Sequence, residues 1–380
     1  MVIENNLNLE EDLHKNIKKL ENISLVIITH LLPDKPRFIK ELAKISNIEL
    51  IIPKKKSINL EVLNELEKSY NFLFLEREQI KSSLFIFELF ENITNKIIIL
   101  DIGGYFAPII NRLKDRLKDK LLGVIEDTEN GHKKYEQIIN LNIPIFTVAR
   151  SPLKLMEDYL VGQSIFFSTE SLLREISIIP NYLQVGVLGF GKIGKSIATI
   201  ARTKCTSVAV FDINPIMRIE ALSKGFLIPE RKDLLKNTDI LFCCTGNKSL
   251  KKEDLSYLKH GCFIISATSK DDELDIGDLF NYQSRKISPH ITRYFNNSKF
   301  LFHLMNDGNA INFLHNAVVG DFIRLVQSEI IECVKYIAKE KKEPGIYELP
   351  QQLRVHIAEQ FLKENSFLPN EKSGELNDKN

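Results

Sequence analysis

Three glycines fall within the ten residues VLGFGKIGKS, Val187 to Ser196, as Gly189, Gly191 and Gly194. They sit between the apolar run VGVL and the helical pattern IGKSIATIAR. In that context glycine does its chemistry through the backbone. Gly189 permits a tight turn, Gly191 lets the main chain approach a pyrophosphate, and Gly194 lets helix and strand pack closely. Lys192, Ile193 and Gly194 then open a helix whose first N–H groups and partial positive charge suit phosphate oxygens. About 20 residues on, where such folds carry an acidic residue, SVAVFD ends at Asp212. A carboxylate there bonds both ribose hydroxyls and repels a 2′-phosphate, so NAD is expected rather than NADP. A glycine turn without a cofactor is the alternative, and the flanking strand and helix argue against it.

Other residues carry weaker signals. Lys154 and Asp158, in SPLKLMEDYL, are spaced to share one helical face, and a plain i,i+4 surface ion pair accounts for that spacing. His30 ends the run ISLVIITH, where a satisfied polar residue is as ordinary as a functional one. IIPKKKS sets Lys54, Lys55 and Lys56 just past a strand-like run. Such a run is ordinarily a solvated loop. It could also receive a phosphate or carboxylate, because the carboxyl ends of parallel strands face the ligand crevice.

The elements that must position these groups alternate along the chain. Runs at 23–30, 48–53, 72–76, 96–104, 121–126 and 143–149 read as buried parallel strands. Between them DKPRFIKELAKIS and LEVLNELEKSY repeat apolar residues at three- and four-residue spacing, as amphipathic helices do. After a helical stretch to Ile179, strand runs restart at 183–191, 207–212, 239–246, 262–268 and 300–305, followed by a helical region over 313–340. The pattern predicts an α/β protein of two doubly wound domains, the second a NAD-binding Rossmann fold inserted into the first. The expected division is a substrate domain over 1–150, a helical connection over 151–182 and a Rossmann domain over 183–315. Helices over 316–363 then return to the first domain, and a polar disordered tail covers 364–380. A crevice between two such domains is where cofactor and substrate are expected to meet.

The composition excludes several classes. At 380 residues, two domains are the default. Fifty-one basic residues against 50 acidic ones give a net charge of +1, which argues against a general nucleic-acid or membrane-surface binder. Cys205, Cys243, Cys244, Cys262 and Cys333 show no CxxC pair and no metal-ligand spacing, so reduced thiols in a cytoplasmic protein are expected. The charged N-terminus lacks the apolar core of a signal peptide, and no apolar stretch reaches the length of a membrane span.

From about Lys96 to Gln327 the chain resembles the S-adenosylhomocysteine hydrolase family. The motifs that carry the resemblance occur in order: ILDIGG, GVIEDTENGHKKY, IPIFTVARSPLKLMEDYLVGQS, VLGFGKIGKS, FDINPIMRIEALSKGF, LFCCTGN, SPHITRYF and NDGNAINF. The resemblance implies an NAD-dependent enzyme that oxidises the ribose 3′ carbon of an adenosine-type nucleoside, eliminates the 5′ thioether, adds water and reduces the ketone again. It implies that Lys154 accepts the 3′-hydroxyl proton, that Asp158 orients the ribose and the lysine, and that Asp127 binds ribose hydroxyls in place of a glutamate. It assigns a catalytic role to His30. It puts Thr128, Asn130, Thr245 and Asn312 against NAD, with Asn312 on the nicotinamide carboxamide, and adds Ser269 where the family has a histidine. A small-molecule substrate and a homo-oligomer, dimer or tetramer, are implied as well.

Departures cluster around elimination. Tyr105 stands where the family has a cleft aspartate, Val319 where it has a histidine, and Tyr159, Thr147 and Gln163 replace an asparagine, an asparagine and a cysteine. The family's C-terminal lysine/tyrosine tail is not matched. Loss of two or three acid/base groups, each contributing about 10²–10⁴-fold, would slow thioether hydrolysis. Three readings therefore stand: a hydrolase-type enzyme, a nucleoside 3′-dehydrogenase or epimerase, and a catalytically silent NAD-binding regulator.

Overall fold

The computed structural model describes residues 19–365 apart from 83, 269–272, 278, 280, 281, 297 and 298. Two compact units result, one from Met1–Lys154 with Asp321–Asn380, the other from Leu155–Gly320.

In the first unit, β1 (Ile23–Leu31), β2 (Asn47–Ile58), β3 (Lys96–Asp101), β4 (Leu121–Glu126), β5 (Pro144–Thr147) and a late strand, Gly345–Tyr347, form one parallel sheet. The order is the late strand, then β5-β4-β3-β1-β2. β1 reads as a continuous apolar run because both its faces are covered. Leu25 and Ile27 join a core with the helices Lys35–Ile45 and Ile323–Lys339. Val26 and Ile28 face Ile86 and Phe90 of the helix Leu84–Asn92 and Leu113 of the helix Ile110–Leu117. The order 2-1-3-4-5 reverses between β1 and β3, the switch point at which such sheets take ligands beyond their carboxyl ends.

In the second unit, β6 (Gln184–Leu188), β7 (Ser207–Phe211), β8 (Ile240–Cys243), β10 (Cys262–Ser266) and β14 (Lys299–Met305) are parallel. The two-residue strands β9 (Leu250–Lys251) and β11 (Leu274–Asp275) pair separately. A hairpin of β12 (Gln283–Ser288) and β13 (Ile291–Asn296) extends the large sheet antiparallel, giving β12-β13-β14-β10-β8-β6-β7. Beyond β7, Leu227 forms a single parallel bridge with Ala209, occupying the place of the third strand in the Rossmann order 3-2-1-4-5-6. The fold is α/β, and the second unit is of Rossmann type.

Several local expectations are corrected. The run 72–76 makes one bridge, Ile51 with Phe72, and is not a strand; by Glu76 the backbone is entering the helix Arg77–Ser82, with Glu76 N bonded to Gln79 Oε1. The helical region expected from 313 begins regular helix only at Ile323, because Asn316 and Ala317 take positive φ values of 60° and 47°. Glu364 closes the helix Gln351–Glu364, so the expected tail starts too early; 366–380 lie outside the described residues. None of the helices is long and apolar enough to cross a membrane, among the described residues.

Candidate functional site

In the second unit β6 runs straight into the glycine turn. Gly189 has φ +96°, and a Cβ there would stand 2.9 Å from both Cys244 O and Thr245 Cγ2. A Cβ on Gly194 would stand 2.0 Å from Gly189 O, so the helix Lys192–Arg202 is pressed onto the turn. Gly191 is different: nothing lies within 4 Å of where its Cβ would be. Gly191 is also the N-cap of that helix, and no side chain caps it. A helix N-terminus with orphan N–H donors beside open room is an anion cradle. Asp212, just past β7, accepts Phe190 N at 2.7 Å and Asn214 N at 2.8 Å, which ties the turn to the end of the neighbouring strand. Both its oxygens already serve the backbone, and each keeps lone-pair capacity for a ribose hydroxyl.

Two further positions complete this half. Thr245, after β8, donates to Glu273 Oε2 at 3.1 Å and accepts Asn247 N at 3.0 Å. Glu273 is fully buried and also accepts Gly246 N and Thr268 Oγ1, so it organises the loop; nothing in its charged sequence context marks it out. Asn312 is buried, and its Oδ1 has no hydrogen-bond partner. An orphaned acceptor of this kind costs about 1–3 kcal/mol, so a donor from a bound group is the natural complement. Open room at Gly191, the carboxylate at Asp212 and the orphan at Asn312 fit a dinucleotide. Ile193 follows in the first helical turn, and Lys192 pairs with Asp158 at 3.1 Å. Ser269 lies outside the described residues.

In the first unit, charged groups gather at the carboxyl ends of β1 to β4. Asp101, at the end of β3, accepts Tyr105 N and Phe106 N at 3.0 Å and the Tyr135 hydroxyl at 2.7 Å. Glu126, at the end of β4, accepts Gly103 N, Gly104 N, Thr128 N and the Thr128 hydroxyl. Burial beside the Asp101 carboxylate pushes Glu126 up to about 8, and burial raises Asp101 too. Both are consumed in building the strand-end loops. Thr128, expected against NAD, caps the helix Glu129–Glu136 through Gly131 N at 3.1 Å, and Asn130 lies in that helix's first turn.

Asp127 points elsewhere. It meets Lys154 Nζ at 2.9 Å, with the lysine buried and the carboxylate nearly so. Burial pushes Asp127 up, but Lys154, then Lys35 and Lys54, hold it below the usual carboxylate range. Helical spacing suggested Lys154 with Asp158; instead Lys154 pairs with Asp127 and Asp158 with Lys192. His30, at the end of β1, bonds Ser57 Oγ through Nδ1. Enclosure by protein, then Lys54, Lys35 and Lys154, drive its pKa well below the ordinary value, so it is neutral. Lys35 pairs with Asp34 at 2.7 Å, and Asp34 accepts Gln327 Nε2 at 2.7 Å. Sequence reasoning missed Lys35, although a lysine opening a helix after the first strand run was there to be noticed.

The lysine run divides. Lys55 forms an ion pair with Glu76 at 2.9 Å and Lys56 is exposed, whereas Lys54 turns inward over the Tyr105 ring, 5.8 Å from its centroid.

Residues 165–318 match the family model described as S-adenosyl-L-homocysteine hydrolase, NAD binding domain. The adenosylhomocysteinase of Pyrococcus abyssi is 28% identical over 273 residues, covering 69% of this chain and 64% of that protein. The adenosylhomocysteinase of Thermotoga maritima is 27% identical over 275 residues, 68% of this chain and 66% of that protein. The S-inosyl-L-homocysteine hydrolase of Methanothermobacter thermautotrophicus is 25% identical over 290 residues, 71% and 68% respectively. The match thus spans just under two thirds of the first two relatives' length. Among solved structures, NAD-dependent formate dehydrogenase from Staphylococcus aureus overlaps 84% of this chain and 96% of that one, at 10% identity and a TM-score of 0.47.

Proposed function

From the premise that this chain is a divergent relative of the S-adenosyl-L-homocysteine hydrolase family, we propose that it binds NAD and oxidises the 3′-hydroxyl of an adenosine-type nucleoside. The observation that carries this reading is the buried Lys154–Asp127 pair, set beyond the carboxyl ends of β4 and β5 in the sheet whose order reverses between β1 and β3. The cofactor's residues are Gly189, Gly191 and the helix opening at Lys192 for the phosphates, Asp212 for the ribose and Asn312 for the carboxamide. When bound, NAD supplies a hydride acceptor for the sugar carbon.

The chain's own residues do the rest. Asp127, held ionised by Lys154, is an acceptor for ribose hydroxyls. Lys154 is the acceptor for the 3′-hydroxyl proton. Asp158 holds Lys192 at the mouth of the glycine turn, which makes it a positioning residue for that helix.

A second reading, a 3′-dehydrogenase or epimerase without thioether hydrolysis, is favoured by one observation. His30 is neutral among three lysines, and a neutral imidazole is a poor general acid for a leaving group. The test incubates NAD-loaded protein with S-adenosylhomocysteine and, separately, with adenosine, and identifies products by mass spectrometry. A 3′-keto nucleoside with NADH supports oxidation, and released homocysteine adds hydrolysis. If Lys154→Ala leaves every nucleoside-dependent signal unchanged, the catalytic reading is wrong and a silent binder remains.

A further inference from the structure

We propose that Glu273 positions the cofactor-binding rim of the second unit and tilts its preference toward oxidised NAD over NADH. The inference rests on NAD binding and not on the nucleoside reading above.

Glu273 ties neighbouring strand ends together. Its Oε1 accepts Gly246 N at 2.6 Å and the Thr268 hydroxyl at 3.2 Å, and its Oε2 accepts the Thr245 hydroxyl at 3.1 Å. Thr245 and Gly246 follow β8, and Thr268 follows β10, the strand beside it. On the other side of β8 lies β6, and the loop after β8 packs against its glycine turn. A Cβ on Gly189 would stand 2.9 Å from both Cys244 O and Thr245 Cγ2. One carboxylate thus sets that loop between the glycine turn and the end of β10. These are carboxyl ends of parallel strands, the edge on which such a sheet takes its dinucleotide.

The residue is itself fixed from behind. Ser249 Oγ donates to Glu273 O at 3.3 Å, and the next residue, Leu274, pairs with Leu250 between β9 and β11. Glu273 is fully buried. Held at backbone and side chain, it gives the loop its geometry.

Charge gives Glu273 a second effect. Among the described residues, the donors it accepts are two hydroxyls and one backbone N–H, all neutral. Such bonds hold a charge in place without cancelling it. Its field is felt along the end of β8, where burial, then Glu273, raises the thiols of Cys243 and Cys244. The nicotinamide ring of NAD carries a positive charge that the ring of NADH lacks, so a fixed anion in the rim favours the oxidised form. A unit charge about 10 Å away, at an effective dielectric of about 20, is worth about a factor of ten. Tenfold in the ratio of affinities is about 30 mV in the potential of the bound couple, toward the more reducing side. Under the nucleoside reading, that shift favours transient over net oxidation of the sugar.

The test is isothermal titration of NAD and of NADH into the wild type, Glu273→Gln, Glu273→Asp and Thr245→Val. Glu273→Gln keeps the side chain's size and an acceptor for Gly246 N but removes the charge. It should weaken NAD about 10-fold more than it weakens NADH. Thr245→Val removes one neutral donor and keeps the charge, so it should weaken both cofactors alike and leave their ratio unchanged. Glu273→Asp keeps the charge on a shorter arm and should also weaken both with the ratio kept, which covers the event that Glu273→Gln fails to fold. Equal weakening of NAD and NADH by Glu273→Gln, with a lower urea midpoint, marks a merely structural residue and overturns the proposal. So does a ratio that shifts in Glu273→Asp as it does in Glu273→Gln. Unchanged affinity for both cofactors in Glu273→Gln overturns the positioning as well. A wild type that binds neither cofactor overturns the NAD assignment itself.

Discussion

Gly191 and Gly194 are three residues apart in one turn, yet an added methyl meets opposite surroundings at the two positions. At Gly191 the methyl enters open space, and the backbone, at φ −72°, accepts any L residue. Alanine there gains about 0.4–1 kcal/mol from a less free unfolded chain. It loses a similar few tenths to 1 kcal/mol as a poorer N-cap than glycine. Net stability should therefore stay within about 1 kcal/mol of wild type. At Gly194 the methyl lands 2.0 Å from a backbone oxygen that cannot rotate away. Overpacking of this sort costs about 1–3 kcal/mol, and more where backbone must move, against at most about 1 kcal/mol gained in helix propensity.

The cofactor should see the reverse order. If the pyrophosphate approaches Gly191, a methyl displaces it from the helix N-terminus. Losing two charge-assisted hydrogen bonds at about 1.5–3 kcal/mol each weakens NAD by about 100-fold or more. Urea unfolding with and without NAD separates these effects. At NAD one hundred times its wild-type dissociation constant, the wild type gains about 2.7 kcal/mol, and a 100-fold weaker binder gains about 0.4 kcal/mol. Gly191→Ala should unfold like wild type without NAD and respond hardly at all to it. If Gly191→Ala keeps the full NAD response, the cradle has been put in the wrong place.

Three further outcomes follow from the same structure. Asp127→Asn leaves the Lys154 ammonium buried without its counter-charge and should destabilise by about 3 kcal/mol, whereas Asp127→Asn with Lys154→Met should recover part of that; equal losses in the single and double variants in urea would refute the pairing. Burial, helped by the Arg293 charge and opposed by the bond from Nδ1 to Gly261 O, lowers His303 to about 4, and Nε2 accepts Arg293 Nε at 3.2 Å. Its folded value lies below its unfolded one, so stability present above about pH 6.5 is lost as pH falls toward 4, by at most about 3 kcal/mol; His303→Gln should flatten that limb of the urea midpoint profile. Arg324 and Glu364 form an ion pair between the helices Ile323–Lys339 and Gln351–Glu364, both side chains mostly buried, and Glu364→Ala should lower the urea midpoint more than removal of the exposed pair partner Glu65.

What could be read from the sequence was local or periodic. The glycine turn was legible because the backbone conformation at Gly189 and the contact at Gly194 are demands that a single residue type meets. β1, β3 and β4 were legible because strands covered on both faces read as largely apolar runs, a pattern independent of their neighbours' identity. The hairpin Gln283–Asn296 went unread for the converse reason: β12 is largely exposed, held by backbone pairing to β13, and has no apolar run to show. The short strand Gly345–Tyr347 exists because β5 offers it a free edge, and Leu227 makes a single bridge to β7; neither pairing is written in its own segment. The run 72–76 was apolar enough to look like a strand, but its pairing stops at Phe72.

The site divides in the same way. That Lys154 and Asp127 are candidate site residues was available from motif order; that they are each other's partner was not, since 27 positions separate them and only β4 and the turn after β5 bring them together. The three lysines at 54–56 look alike in sequence. Strand alternation and the neighbouring helices send Lys54 toward Tyr105 and Asp127 and leave Lys55 to a surface pair. Glu273 gave no signal, because what singles it out is the approach of Thr245, Gly246 and Thr268 to one carboxylate, a fact of the packed chain alone. Sequence by itself determined which backbone turns and which apolar faces must form. Tertiary structure decided which charges meet, because ion pairing depends on distance in space and leaves no period along the chain.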